Sequence, residues 1–222
     1  DMNALEEYLA YRIVGMLSEA AYRVRLFQIS YTDTRGIADP ELRNRHGFFI
    51  EPTAMLAERL GGSEVDAKGV ALKQLDADQA ALVYVFQYLI GNTDWSLVTG
   101  DADTWCCFNG KLIRVGEKIH YVPYDFDLSG LVDASYAKPD PSLNLRSVRK
   151  RKYRGYCTDS QTLLNAIRAV NARKADMFQG VRDTPWLTDK ARDKIETYLT
   201  RFFDKAEDES RLLRSFEKQC IG

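Results

Sequence analysis

At 222 residues the chain is long enough to bury a sizeable core, as one large domain or a domain with a subdomain. Hydrophobic residues at 45% and charged residues at 28% are ordinary for a globular protein and exclude a chain that is mainly disordered. A net charge of -1 gives no global field for nucleic acid or an anionic membrane, so electrostatic recognition has to be local. No run reaches bilayer-spanning length, and the first residues lack the basic, apolar, small-residue order of a signal peptide. Because residue 1 already sits in a helix-like pattern, the chain reads as a fragment or a processed form.

From Asn3 to about Arg23, Leu5, Leu9, Ile13, Met16, Leu17 and Ala20 recur at three- and four-residue steps, which predicts an amphipathic helix. Val24–Tyr31 and His46–Glu51 switch to alternation rich in β-branched and aromatic residues and predict an antiparallel ribbon, joined by a turn-rich loop with Gly36 and Pro40. A helical turn over Pro52–Leu60 is stopped by Gly61-Gly62. Asp76 is placed to cap a nearly apolar helix running to Ile90, whose character puts it at the centre of a helical core. Gly91 ends that helix and delivers Asn92, Thr93 and Asp94 beyond its buried end. Lys111–Val115 and Lys118–Val122 read as a hairpin around Gly116-Glu117, with Asp125 just past its second strand. After an irregular stretch over 133–156, helices are expected from Asp159 or Ser160 and from Thr188 to about Lys218, the latter broken near Glu207-Asp208. The fold class is α+β, mostly helical.

Asn92, Asp94, Asn109, Asp125 and Asp127 fall at the ends of apolar elements, where a scaffold can present polar groups. Oxygen donors of this kind suit a hard cation such as Mg²⁺ bridging a phosphate-bearing ligand. Strand alternation would set Asp125 and Asp127 on one face, where two carboxylates repel unless a cation or donor lies between them. Against this, Asn-Thr-Asp after a glycine also suits a plain Asx turn. His46 and His120 look structural, and Trp95, Trp105 and Trp186 look like packing. Cys106, Cys107, Cys157 and Cys220 have no metal-site spacing. They leave open a Cys107–Cys157 or Cys106–Cys157 disulfide, or buried free thiols. The basic run Arg146–Arg154, with Arg149, Arg151 and Arg154, reads either as a solvated charged face or as a site for phosphate or an acidic substrate.

The strings EYLAYR, GNTDWS, CC-x-N and PYDFD-x-SGL, in the order helix, ribbon, buried helix and hairpin, resemble the atypical protein-kinase-like fold. The resemblance is to the spore-coat CotH-like kinases of bacteria and, more distantly, to HipA-like kinases, and it runs from the first helix to about residue 180. It implies one kinase-like domain over 1–222, with a helix and hinge-like ribbon over 1–68 and a helical C-lobe over 69–222. It also implies an ATP- and Mg²⁺- (or Mn²⁺-) dependent phosphotransferase acting on a protein hydroxyl, while the near-zero net charge and the tryptophans lying apart from the basic run argue against a nucleic-acid partner. Under it, Asp94 with Asn92 takes the catalytic-loop place, Asn109 and Asp125 hold metal, and Glu7 faces the phosphate-gripping lysine. Asp127 joins as a metal candidate from the same-face argument alone.

The sequence departs from that pattern in three ways. A loop over Leu97–Phe108 separates Asp94 from Asn109, Phe108 stands where this branch is expected to carry histidine, and nothing ahead of Glu7 supplies a glycine-rich loop or lysine strand. On the resemblance the N-lobe is therefore largely absent from these residues. An inactive kinase-like binding or assembly module is the main rival, and metal-assisted phosphoester hydrolysis a weaker one.

Overall fold

A computed structural model describes residues 2–36, 44–100 and 106–222, so Pro40 and Trp105 lie outside the described residues. Helix α1 (Met2–Leu17) buries Leu5, Leu9 and Ile13 as its spacing predicts. It stops short of the expected Arg23. Ser18 Oγ accepts the amide of Ala20 (3.0 Å) and donates to Gln79 Oε1 (2.6 Å), turning the chain out of the helix. Ala20 is buried by that turn and not by a helical face, which is why its spacing misled.

Strands β1 (Val24–Ser30) and β2 (Asn44–Ile50) form the expected antiparallel ribbon, in register from Val24↔Ile50 to Ser30↔Asn44. Phe48 on its inner face packs against Tyr11 of α1 at 5.4 Å between ring centres. Helix α2 (Thr53–Arg59) follows, and then the two-residue strand β3 (Ser63–Glu64), too short to show a period. β3 borders a hairpin of β4 (Gly110–Val115) and β5 (Lys118–Pro123), giving the order β3-β4-β5.

Helix α3 (Ala77–Ile90) runs through the core, with Asp76 accepting the Gln79 amide at 2.8 Å as its cap. Val85, Phe86, Leu89 and Ile90 are fully buried along it. The C-terminal layer holds α4 (Ser160–Ala172), α5 (Lys174–Asp183), α6 (Asp189–Ala206) and α7 (Glu209–Glu217). Asp208 marks the expected break by capping α7 through the Arg211 amide (2.9 Å). The sequence reading missed α5, which buries only Met177 and Val181. Buried apolar side chains from α1 to α7 belong to one hydrophobic cluster. No helix among the described residues is long and apolar enough to cross a membrane.

The cysteines pair otherwise than expected. Cys157 joins Cys220 across 63 positions, with Cα atoms 4.9 Å apart, and Cys106 joins its neighbour Cys107. No described cysteine is free. The chain end sets Ile221 parallel to Tyr156, with the Cys157 amide donating to Ile221 O (2.9 Å) and the Ile221 amide to Gly155 O (3.0 Å). Sequence alone could not supply that closeness.

Candidate functional site

The site begins where α3 ends. Gly91 adopts a left-handed conformation (φ 67°) and turns the chain sharply out of the buried helix. Asn92, almost fully buried, accepts the Asp94 amide on Oδ1 (2.9 Å) and the Trp95 indole N–H on its carbonyl (3.2 Å). The Asx turn is thus real, and it presents Asp94. Asn92 shapes the loop from beneath, and its buried Nδ2 makes no hydrogen bond.

Although a long loop separates them in sequence, Asp94 and Asn109 meet. The Ser96 amide donates to Phe108 O and the Phe108 amide to Thr99 O, both at 3.1 Å, so the insertion closes at its base. Asn109 Nδ2 then donates to the carbonyl of Asp94 (2.8 Å) and to its Oδ2 (2.9 Å). That leaves Oδ1 as the atom Asn109 can offer a cation. Asn109 has φ 51°, and its carbonyl accepts the Tyr121 hydroxyl and the Tyr124 amide, each at 3.0 Å.

The alternation argument for Asp125 and Asp127 does not hold, because β5 stops at Pro123 and Asp125 has φ 61°. The two carboxylates still come together, since the turn sends Phe126 inward between Tyr11 (4.7 Å) and Phe86 (5.3 Å). Burial first, then the charge and hydrogen bonding of Asp127 and the charge of Asp94, push the Asp125 carboxyl up to about 6. Helix α1 supports the turn twice: the Asp125 amide donates to Tyr11 Oη (2.9 Å) and the Phe126 amide to Glu7 Oε1 (3.3 Å). Burial, with the charges of Asp125 and Asp127 behind it, pushes Glu7 up to about 7 despite that hydrogen bond.

These shifts fix the sign of a pH effect. A carboxyl whose pKa is raised on folding binds its proton more tightly when folded, so stability falls as pH climbs from the unfolded value to the folded one. For Glu7 that window runs from 4.5 to about 7. Glu7→Gln keeps an acceptor for the Phe126 amide and removes the ionisation. In metal-free buffer, its melting temperature should fall less steeply than that of the wild type between those pH values. Parallel melting curves for the two proteins would contradict the burial assigned to Glu7.

Oxygen donors from Asn109, Asp125 and Asp127 match a hard cation, and a cation would relieve the repulsion between the paired carboxylates. Among the described residues no group of three His, Cys, Asp or Glu side chains stands ready as a protein cage. Mg²⁺ does not require one, since it is commonly held by one or two carboxylates together with substrate phosphates.

The basic run divides. Arg151 donates to Leu89 O (3.0 and 2.9 Å) and Tyr198 O (2.7 Å) and lies 3.8 Å over the Tyr198 ring. Its guanidinium is thereby committed to the end of α3. Arg149 pairs with Asp133 at 3.1 Å. Arg154 alone of the three lines a cavity of about 290 Å³ that also contains Asp94. A larger cavity, about 540 Å³, opens between the end of α1, the start of α3 and α4, and holds none of the site residues.

Sequence reasoning missed several contributors. Tyr11 lies four residues after Glu7 on α1, so helical spacing alone could have put both on one face. Tyr121, whose hydroxyl donates to Phe108 O and Asn109 O, lies within an apolar strand that gives no polar signal. Tyr136, whose hydroxyl donates to Asp127 Oδ2 at 2.9 Å, lies in an irregular segment with no local signal.

No family model matches the chain, and no curated protein matches it in sequence. Among solved structures it is similar to a Helicobacter pylori proinflammatory kinase, CtkA, with a TM-score of 0.53 and 15% identity over 98% of this chain and 84% of that one. At that identity the likeness speaks to architecture, and the architecture of this chain is kinase-like.

Proposed function

We propose that the chain carries the metal- and acceptor-handling residues of an ATP-dependent phosphotransferase of the CotH-like class, acting on protein hydroxyls. The observation that carries this reading is the continuity of the polar unit. Asn109 holds Asp94 through its side-chain amide and, through its carbonyl, the amide of Tyr124 beside Asp125. Such a unit can coordinate cation, phosphate and acceptor at fixed separations, which is most of what phosphoryl transfer asks of a protein.

In this reading Asp94 orients the acceptor hydroxyl and takes its proton, while Asn109 Oδ1 and Asp125 would hold Mg²⁺, with Asp127 as a further oxygen donor. When bound, the cation neutralises charge on the nucleotide phosphates. Glu7 would steady a phosphate-gripping lysine. No ion pair to Glu7 is present among the described residues. The same feature favours the second reading, a kinase-like binding module without transfer activity.

The experiment is incubation of the protein that carries this chain with labelled ATP and Mg²⁺ or Mn²⁺. Incorporation into protein supports transfer, and none with either metal favours the module. Asp125→Ala should abolish Mg²⁺-dependent nucleotide binding while leaving the circular dichroism spectrum unchanged. Wild-type binding in that variant would sink the metal assignment.

A further inference from the structure

The cavity of about 290 Å³ beside Asp94 is lined by Ser96, Thr99, Lys138, Asp140 and Arg154 among others, and by none of Asn109, Asp125 or Asp127. It therefore opens on the proposed acceptor carboxylate from a side the cation donors do not occupy. Its size suits one or two side chains, at the lower limit of small-molecule pockets.

Two cations reach this space from separate segments. Arg154 Nη1 donates to the carbonyl of Thr93, which anchors the guanidinium next to the Asp94 loop and leaves its other N–H groups to donate. Lys138 forms no ion pair among the described residues. Opposing them are Asp94, which holds Asn109, and Asp140. The Asp140 carboxylate accepts the Ser142 amide at 2.7 Å as cap of the 3-10 turn Pro141–Leu143 and keeps its negative charge, which interacts with Arg154 and leaves Lys138 as the cation less offset by it. A carboxylate entering the cavity would find a fixed guanidinium and a movable ammonium, a pairing suited to recognising an acidic group.

We propose that this cavity selects acceptor segments in which the hydroxyl is flanked by carboxylates, with Lys138 and Arg154 as the residues that determine this. The inference rests on the reading of Asp94 as the acceptor-side residue, and it replaces the three-arginine site suggested by the sequence with one arginine and one lysine. Lys138 is the residue to alter, because Arg154 also supports the Thr93 backbone.

The test is fluorescence anisotropy with a labelled peptide carrying one serine between glutamates, and a control peptide with glutamines in their place. The wild-type protein should bind the acidic peptide about tenfold more tightly than the control, as expected for a charge-assisted contact. Lys138→Glu should erase that preference and Lys138→Gln reduce it, with melting temperatures unchanged. Equal binding of the two peptides, no measurable binding of the acidic one, or an undiminished preference in Lys138→Glu each overturns the proposal. Phosphate incorporation is scored separately. Acid-selective binding without incorporation removes the phosphotransfer reading and leaves the site, whereas incorporation without acidic preference does the reverse.

Discussion

Asp94→Asn should slow phosphoryl transfer by about 10²- to 10⁴-fold, the range typical of losing a positioned proton acceptor. The substitution is nearly isosteric, and the local structure gives it little reason to move the loop. Asn109 Nδ2 donates to the backbone carbonyl of residue 94 as well as to Oδ2, and an amide oxygen can replace the latter. The Asp94 amide remains held by Asn92 Oδ1. The loss should therefore appear in the rate constant, with nucleotide affinity and melting temperature close to wild type. Initial rates, a nucleotide-binding isotherm and a thermal melt decide the matter together. A wild-type rate would remove Asp94 from the proton step, and a parallel loss of nucleotide binding would make its role positional.

Gly91→Ala should cost about 2–5 kcal/mol of stability, from two separate sources. A side chain at φ 67° is strained in itself, and the added Cβ would lie 2.0 Å from the hydroxyl oxygen of Tyr198. That ring cannot easily retreat, because it is buried and Arg151 stacks upon it at 3.8 Å. Gly61 separates the two sources, since it has φ 66° with nothing within 4 Å of the position its Cβ would take. Gly61→Ala should thus show the backbone cost alone, about 1–2 kcal/mol. Urea melts of both variants give the comparison, and equal losses would mean that the contact with Tyr198 relaxes freely. The Gly91 variant also bears on the site, because the displaced turn carries Asn92 and Asp94.

Much of the scaffold was legible because local rules and tertiary packing agree there. Asp76, Asp159 and Thr188 each accept the amide three residues further on, in the first turn of the helix they were expected to begin. The hairpin strands β4 and β5 pair about Gly116-Glu117 as their alternation suggested. What was hidden depends on contacts distant in sequence. Asp125 and Asp127 were grouped for the wrong reason, as strand neighbours, when a left-handed residue and the burial of Phe126 bring them together. Arg149, Arg151 and Arg154 looked equivalent in a basic run, yet a carboxylate, two internal carbonyls and the Thr93 carbonyl separate their uses. The end of α1 was misjudged because burial of Ala20 by a turn carries the same spacing as burial by a helix.

The bond between Cys157 and Cys220 makes a covalent ring of the segment that contains α4, α5, α6 and α7. A single backbone cut anywhere inside that ring would release no fragment, and the severed ends would stay at high effective concentration for each other. The ring closes three residues after Arg154, whose guanidinium holds the Thr93 carbonyl. The last residues of the chain are therefore tethered within a few positions of the Asp94 loop, and they stay there even when the helices between are nicked.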